Sequence, residues 1–92
     1  MSTVTVRIPT PLRPLAQGAD ELPVQAGSVR DALAALARDH ELLVQRVLTR
    51  GGELRPYVNL FVDDADVRLL QGLDTRLQPH QTLRIMPSVA GG

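Results

Sequence analysis

The sequence predicts an α+β domain, a mixed sheet of four to five strands with one main helix packed on one face. Three observations carry that reading. Residues 3–8 and 82–86, near opposite ends of the chain, alternate apolar and polar side chains with the period of two that marks a half-buried strand. Between them, residues 28–40 repeat apolar side chains at i, i+3, i+4 and i+7, the pattern of an amphipathic helix. The chain's 92 residues, 43% of them hydrophobic, suffice for one modest core and leave no room for a second domain. Tyr57 and Phe61 are the only aromatic residues, so that core is built from Leu, Val, Ile and Ala.

The elements follow in order. The first strand sets Val4, Val6 and Ile8 on one side against Thr3, Thr5 and Arg7 on the other. Prolines at 9, 11 and 14 cannot donate ladder hydrogen bonds and end it. Residues 17–20 read as a turn and 21–26, around Leu22 and Val24, as a short second strand that returns against the first. Ser28 with Asp31 three residues on resembles a capping box, in which a hydroxyl satisfies an otherwise orphan backbone N–H. Val29, Ala32, Leu33 and Leu36 then form the helix's apolar face, and alanines at 32, 34, 35 and 37 favour the helix and let it lie close to a sheet. Residues 41–50 predict a second short helix burying Leu43 and Val47, stopped at Gly51-Gly52 by a left-handed cap. Residues 57–62 form a third strand with Val58, Leu60 and Val62 inward. "DDAD" turns, "VRLL" adds a short strand, and residues 72–81 are irregular with a single helical turn. The last strand, 82–86, points Leu83 and Ile85 inward, and Pro87 ends it. The first and last strands are the most continuously apolar, which places them side by side and parallel at the sheet centre with the helix across them. That is the β-grasp arrangement, the fold of ubiquitin. Residues 1–86 form this domain, and 87–92 are expected to be a flexible C-terminal tail ending in Gly-Gly.

Composition excludes several functions. With no cysteine there is no disulfide framework, thiol nucleophile or thiolate-held metal. No signal sequence or apolar run of membrane-spanning length is present, so a cytoplasmic protein without membrane association is expected. The ten basic residues balance ten acidic ones, and all ten are arginines, spread from Arg7 to Arg84 without the basic stripe of a nucleic-acid binder. His40 and His80 are far apart in sequence and read as surface residues. Asp63, Asp64 and Asp66 lack the central glycine and distal glutamate of a calcium loop and read as a solvated turn. No phosphate loop or catalytic constellation is present. The chain is expected to be neither an enzyme nor a metal protein.

The ending "RIMPSVAGG" is harder to dismiss. At about 7% average glycine usage, a Gly-Gly terminus arises by chance with a probability of roughly 0.5%, and glycine pairs contribute little to holding a fold. Without Cβ atoms, Gly91 and Gly92 suit a narrow channel and close approach to another backbone. A terminal carboxylate is inert until adenylation supplies a good leaving group. A sulfur nucleophile then displaces AMP and leaves a thiocarboxylate, so a chain without cysteine can still carry sulfur.

Over essentially its full length the chain resembles the ubiquitin-like sulfur-carrier proteins of the ThiS/MoaD class. The likeness rests on "VRIPTPLRP", the helix after its Ser cap, "YVNLFVDDADVRLLQGLDTRL" and "LRIMPSVAGG". Within the class, "IPTPLRP" and "VNLFVDDADVR" are most similar to the CysO-type carrier, which donates sulfur in an O-phosphoserine-dependent route to cysteine. The resemblance implies that Gly92 bears the thiocarboxylate, that Gly91 is its slender neighbour, and that Val89 and Ala90 belong to the extended segment read by partners. It implies an E1-like adenylating partner that uses ATP, and a PLP-dependent cysteine synthase or another sulfur-accepting synthase. It further implies a thioester to the acceptor that rearranges to an amide, leaving cysteine on Gly92 until a JAMM-type metalloprotease removes it. No cofactor is implied for the chain itself beyond the covalent thiocarboxylate. Two other roles share the ending: the small subunit of molybdopterin synthase, and a ubiquitin-like modifier conjugated through Gly92. A third alternative is a plain interaction domain. One departure concerns the turn before the last strand, where many members have Gly-Asp and this chain has Pro79-His80-Gln81.

Overall fold

The parallel pairing expected of the first and last strands lies at the middle of the sheet. In the computed structural model, which describes residues 2–87, β1 (Ser2–Arg7) runs parallel to β5 (Thr82–Pro87), with Val6 opposite Leu83 and Arg7 opposite Arg84. β2 (Glu21–Ala26) forms an antiparallel pair with the other edge of β1, Val4 opposite Val24. β3 (Val58–Val62) lies antiparallel to β5, Leu60 opposite Ile85, and the two-residue β4 (Ala65–Asp66) closes the far edge. The order β2-β1-β5-β3-β4 is that of a β-grasp sheet.

The periodicities become burial. α1 (Val29–Asp39) starts at Ser28, whose Oγ accepts from the Asp31 N–H at 3.1 Å, and buries Val29, Ala32, Leu33 and Leu36. α2 (Glu41–Val47) buries Leu43, Val44 and Val47. These side chains close one aliphatic core with Val4, Val6, Val58, Leu60, Val62, Leu83 and Ile85 from the strands. Leu22 and Val24 on the edge strand β2 are only half-buried against it. The connection after β5's neighbour β3 also reaches the helix: the Val29 N–H donates to the Thr75 carbonyl, and Leu77 N–H to that of Gly27. Thr75, the one buried polar residue among those described, is satisfied there, its Oγ1 2.7 Å from the Gly72 carbonyl.

Four local expectations need correction. The proline-rich segment after β1 is a 3-10 helix, Thr10–Ala16, which buries Ala16; a proline in its first turn has no N–H to waste, and φ near −65° suits the start of a helical turn. α2 stops at Val47 with Leu48 extended, so Gly51-Gly52 is not its cap. Instead Leu48 and Leu54 bridge across a tight loop in which Gly52 N–H donates to the Thr49 carbonyl and Gly52 takes φ +84°, the left-handed position of a hairpin bulge. The short strand falls inside "DDAD", as Ala65–Asp66, because Asp63 takes φ +54° and turns the chain one step early. Val67–Leu69 is accordingly a 3-10 turn and not a strand, capped by the Asp66 carboxylate on the Arg68 N–H. Finally, β5 continues one residue further than expected: Pro87 still lies opposite Val58.

The turn that departs from the family pattern is built all the same. Gln81 N–H closes on the Gln78 carbonyl, with Pro79 and then His80, at φ +70°, between them. Proline followed by a left-handed residue is the type II signature, so His80 occupies backbone space that glycine fills at least strain. The Asp63 carboxylate buttresses the start of β5, accepting from the Thr82 N–H and the Gln81 amide, both at 3.0 Å. Two predictions follow from the packing and from this buttress. Leu36→Ala and Leu83→Ala each lower unfolding free energy by about 2–5 kcal/mol; urea melts showing losses below about 1 kcal/mol would place these side chains outside the core. Asp63→Ala costs about 1–2 kcal/mol, by removing two hydrogen bonds and by setting alanine at φ +54°, whereas Asp64→Ala stays within about 0.5 kcal/mol. Equal effects of the two changes would refute the assigned buttress.

Candidate functional site at the end of the central strand

Gly92, Gly91, Ala90 and Val89, the residues singled out from the sequence, lie outside the described residues. The fold does fix where the chain arrives before them. β5 is held on both sides by neighbours, and β3 keeps pairing with it to the last residue, Asn59 opposite Met86 and Val58 opposite Pro87. The β1 side is different. Its pairing with β5 ends at Arg7 and Arg84: the Thr5 amide faces the β5 side and that of Ile8 the β2 side, so the next amide in line for β5 after Arg7 would be that of Pro9, which has no N–H. The last three residues of β5 are therefore paired on one side only.

A cleft opens on each side of this strand end. One, of about 290 Å³, is bordered by Arg7, Arg13, Arg84 and Met86 under the proline segment. The other, of about 480 Å³, lies between α2 and the base of β3, bordered by Arg46, Arg55, Tyr57 and Pro87. Among the described residues no carboxylate lines either cleft. Sequence reasoning missed this gathering: arginines scattered along the chain are brought to one end of the sheet by the parallel register. The signal was available only through topology, since Arg7 and Arg84 become neighbours once β1 and β5 pair.

Several of these guanidinium groups are held in place. Arg13 Nε–H donates to the Ile8 carbonyl and Arg55 Nε–H to that of Gln45, each at 3.0 Å. Arg7 pairs with Glu21 across β2. Arg84 stands 5.9 Å from the centroid of the Phe61 ring, a cation–π separation, with its Nη2 3.3 Å from the Met86 sulfur. Arg68 reaches the Asn59 side chain and the Arg55 carbonyl, both at 2.8 Å, and so pins the loop that carries Arg55.

The other candidate groups lie apart from this end. The backbone of His40 joins the two helices, its N–H on the Leu36 carbonyl and its carbonyl accepting from Val44, while the backbone N–H of His80 donates to the Thr3 carbonyl in the turn before β5. Asp63 and Asp66 serve backbone and amide donors as described. Among the described residues no cluster of three His, Cys, Asp or Glu is placed to hold a metal ion. No helix of the described residues is long and apolar enough to cross a membrane.

Known proteins share both this architecture and its sequence. The sequence model of the ThiS family matches residues 6–92. The sulfur carrier protein CysO of Mycobacterium tuberculosis (strain H37Rv) is 33% identical over 91 residues, covering 97% of this chain and 98% of that protein. The CysO chain in the crystal structure of the Amycolatopsis orientalis BexX/CysO complex superposes with a TM-score of 0.89 at 34% identity, covering 97% of this chain and 99% of that one. The solution structure of small archaeal modifier protein 1 from Methanosarcina acetivorans gives 0.89 at 31% identity, covering all of this chain and 98% of that one. With a family match that begins in β1 and runs through the last residue, the chain belongs to the ThiS family of small ubiquitin-like carriers.

Proposed function

We propose that this protein is a sulfur carrier whose Gly92 carboxylate is adenylated and converted to a thiocarboxylate for a biosynthetic acceptor. The observation that carries the reading is the near-full-length likeness to CysO carriers, together with a ThiS family match that runs to residue 92. The chain is a substrate of enzymes and not itself one. In the first step the carboxylate oxygen of Gly92 attacks the α-phosphorus of ATP on an E1-like partner, and pyrophosphate leaves. A sulfur nucleophile then adds to the acyl carbonyl and expels AMP. Residues 1–86 act as the recognised body and 87–92 as the presented segment, with β5 carrying it out from the middle of the sheet.

The acceptor is proposed to be a PLP-dependent cysteine synthase, supported by the CysO likeness in "IPTPLRP" and "VNLFVDDADVR". A JAMM-type metalloprotease then frees cysteine from Gly92. Its need for ATP supports a cytoplasmic setting for this chemistry.

Intact mass of tagged protein from its native host tests the reading. The expected species are the free carboxylate, the form with one oxygen replaced by sulfur, and a cysteine adduct. A ladder of larger conjugates that survives thiol treatment, with Gly-Gly remnants on lysines of other proteins, would establish a modifier instead. The chain has no lysine, so no such ladder can arise from lysine-linked self-chains. Gly91→Val is expected to melt like the wild type yet support ATP–pyrophosphate exchange at least about tenfold more slowly, because a β-branched side chain restricts the backbone and widens the segment. Unimpaired exchange would refute the narrow-channel requirement.

A further inference from the structure

We propose that the arginines bordering the end of β5 form a docking collar for a protein surface that carries carboxylates around the channel receiving residues 88–92. The proposal rests on the carrier reading and adds to it the recognition chemistry of the body. Arg7, Arg13 and Arg84 stand on one side of the strand end and Arg46 and Arg55 on the other, with no acidic residue among the described residues lining either cleft. Because the whole chain has no net charge, this concentration has a counterpart. Asp63 and Asp64 occupy the turn after β3, beside the start of β5. Charge is thus uneven along the central strand: beside its end Glu21 offsets Arg7, and the other four arginines of the two clefts form no ion pair among the described residues.

The held geometry suits carboxylates. Anchoring Arg13 and Arg55 through Nε to backbone carbonyls leaves the terminal nitrogens of each fork without a hydrogen bond among the described residues. Such a fork matches a carboxylate bidentately, and less side-chain freedom is lost on binding when the group is already oriented. Arg46 is exposed and forms no ion pair or side-chain hydrogen bond among the described residues. A nucleic acid fits less well. The arginines flank a strand end in two separate clefts instead of tracking a continuous groove, and Tyr57 is the only aromatic residue in them, against the stacked aromatic platforms that single strands require. A protein rim of carboxylates around a narrow channel meets both clefts at once and sets the chain end over the opening. Oppositely charged faces also steer encounter, so the collar governs how often the chain arrives more than what happens afterwards.

The experiment uses the full chain and the host's E1-like adenylating enzyme in ATP–pyrophosphate exchange, at low and at physiological salt. The double variant Arg46→Gln/Arg55→Gln is expected to raise KM for the carrier about tenfold at low salt with kcat unchanged, and to flatten the salt dependence. Arg46→Lys/Arg55→Lys should restore the salt dependence but only part of the KM loss, because an ammonium keeps the charge and not the oriented fork, and Arg38→Gln/Arg76→Gln, which lines neither cleft, should behave as wild type. Thermal melts confirm folding, and Arg46→Gln alone, which removes no internal hydrogen bond, serves if the double variant is unstable. Wild-type KM and salt slope in the Gln variants, with exchange intact, would overturn the collar and leave the carrier reading standing. Absence of exchange with the wild-type chain would overturn both. Salt-sensitive binding of the isolated chain to a single-stranded oligonucleotide, abolished in the Gln variant, would overturn the collar in favour of a nucleic-acid site.

Discussion

The parallel pairing of β1 with β5 is the constraint from which the rest of the molecule follows. Parallel neighbours cannot be joined by a tight turn; they need a long crossover, and here nearly the whole chain serves as that crossover. β2, both helices and the β3–β4 corner all lie between the two strands in sequence. The same pairing buries β5 in the interior of the sheet, between β1 and β3, with Leu83 and Ile85 in the core. Strands in that position open only with free energies near the global one. The segment beyond Pro87 therefore starts from a strand whose first half is held on both sides and whose last three residues are held by β3 alone.

What was legible in the sequence was whatever depended on local periodicity. Val4, Val6 and Ile8, the Val29–Leu36 face, and Val58, Leu60 and Val62 all announce their burial by spacing, and Ser28 announces its cap. Even the central parallel pair could be inferred, because the two most apolar strands must find the most buried places. The misses share a different cause. Gly52 and Asp63 each take positive φ, but the sequence does not say which hydrogen bond that φ completes: Gly52 serves a bridge between Leu48 and Leu54, not the end of α2. The proline segment reads as a break because proline rules out strand, yet proline is compatible with a 3-10 turn once Ala16 has a core to enter. The arginine collar was illegible for the plainest reason. Arg7 and Arg84 stand at opposite ends of the sequence, and only the register makes them neighbours.

The collar also revises what zero net charge means for this protein. A balanced sum describes long-range behaviour, such as solubility and weak attraction to polyanions. It says nothing about fields within a Debye length of about 8–10 Å, the range over which a docking partner feels individual clefts. Uneven charge along β5 lets a neutral chain present one charged end while the other repels the same partner, which orients as well as attracts. The absence of lysine adds to this orientation. An ammonium group on a flexible stem would give comparable charge, but Arg13 and Arg55 are each fixed by an Nε–H that lysine lacks. Composition bias toward arginine thereby has a structural use at these positions, whatever its origin.

Division of labour between body and terminus then follows on physical grounds. In the proposed carrier role a terminal glycine carbonyl must be unhindered to be adenylated and attacked by sulfur, so the reacting end would offer its partner little surface of its own. Two glycines supply no side-chain contact with which to distinguish one carrier from another. Specific recognition has to come from the folded domain, near enough to the exit to position the end and far enough away to stay clear of the carbonyl. The two clefts beside Met86 and Pro87 meet both conditions, since they adjoin the last paired residues of β5 while five residues remain beyond them. Fully extended at about 3.3–3.6 Å per residue, those five reach roughly 17 Å, enough to enter a buried catalytic site while the body rests on its rim. Binding energy gathered at the arginines is thereby separated from the bond-making atoms. The same terminus can be offered first to an activating enzyme and then to an acceptor, provided that each presents a rim the collar recognises.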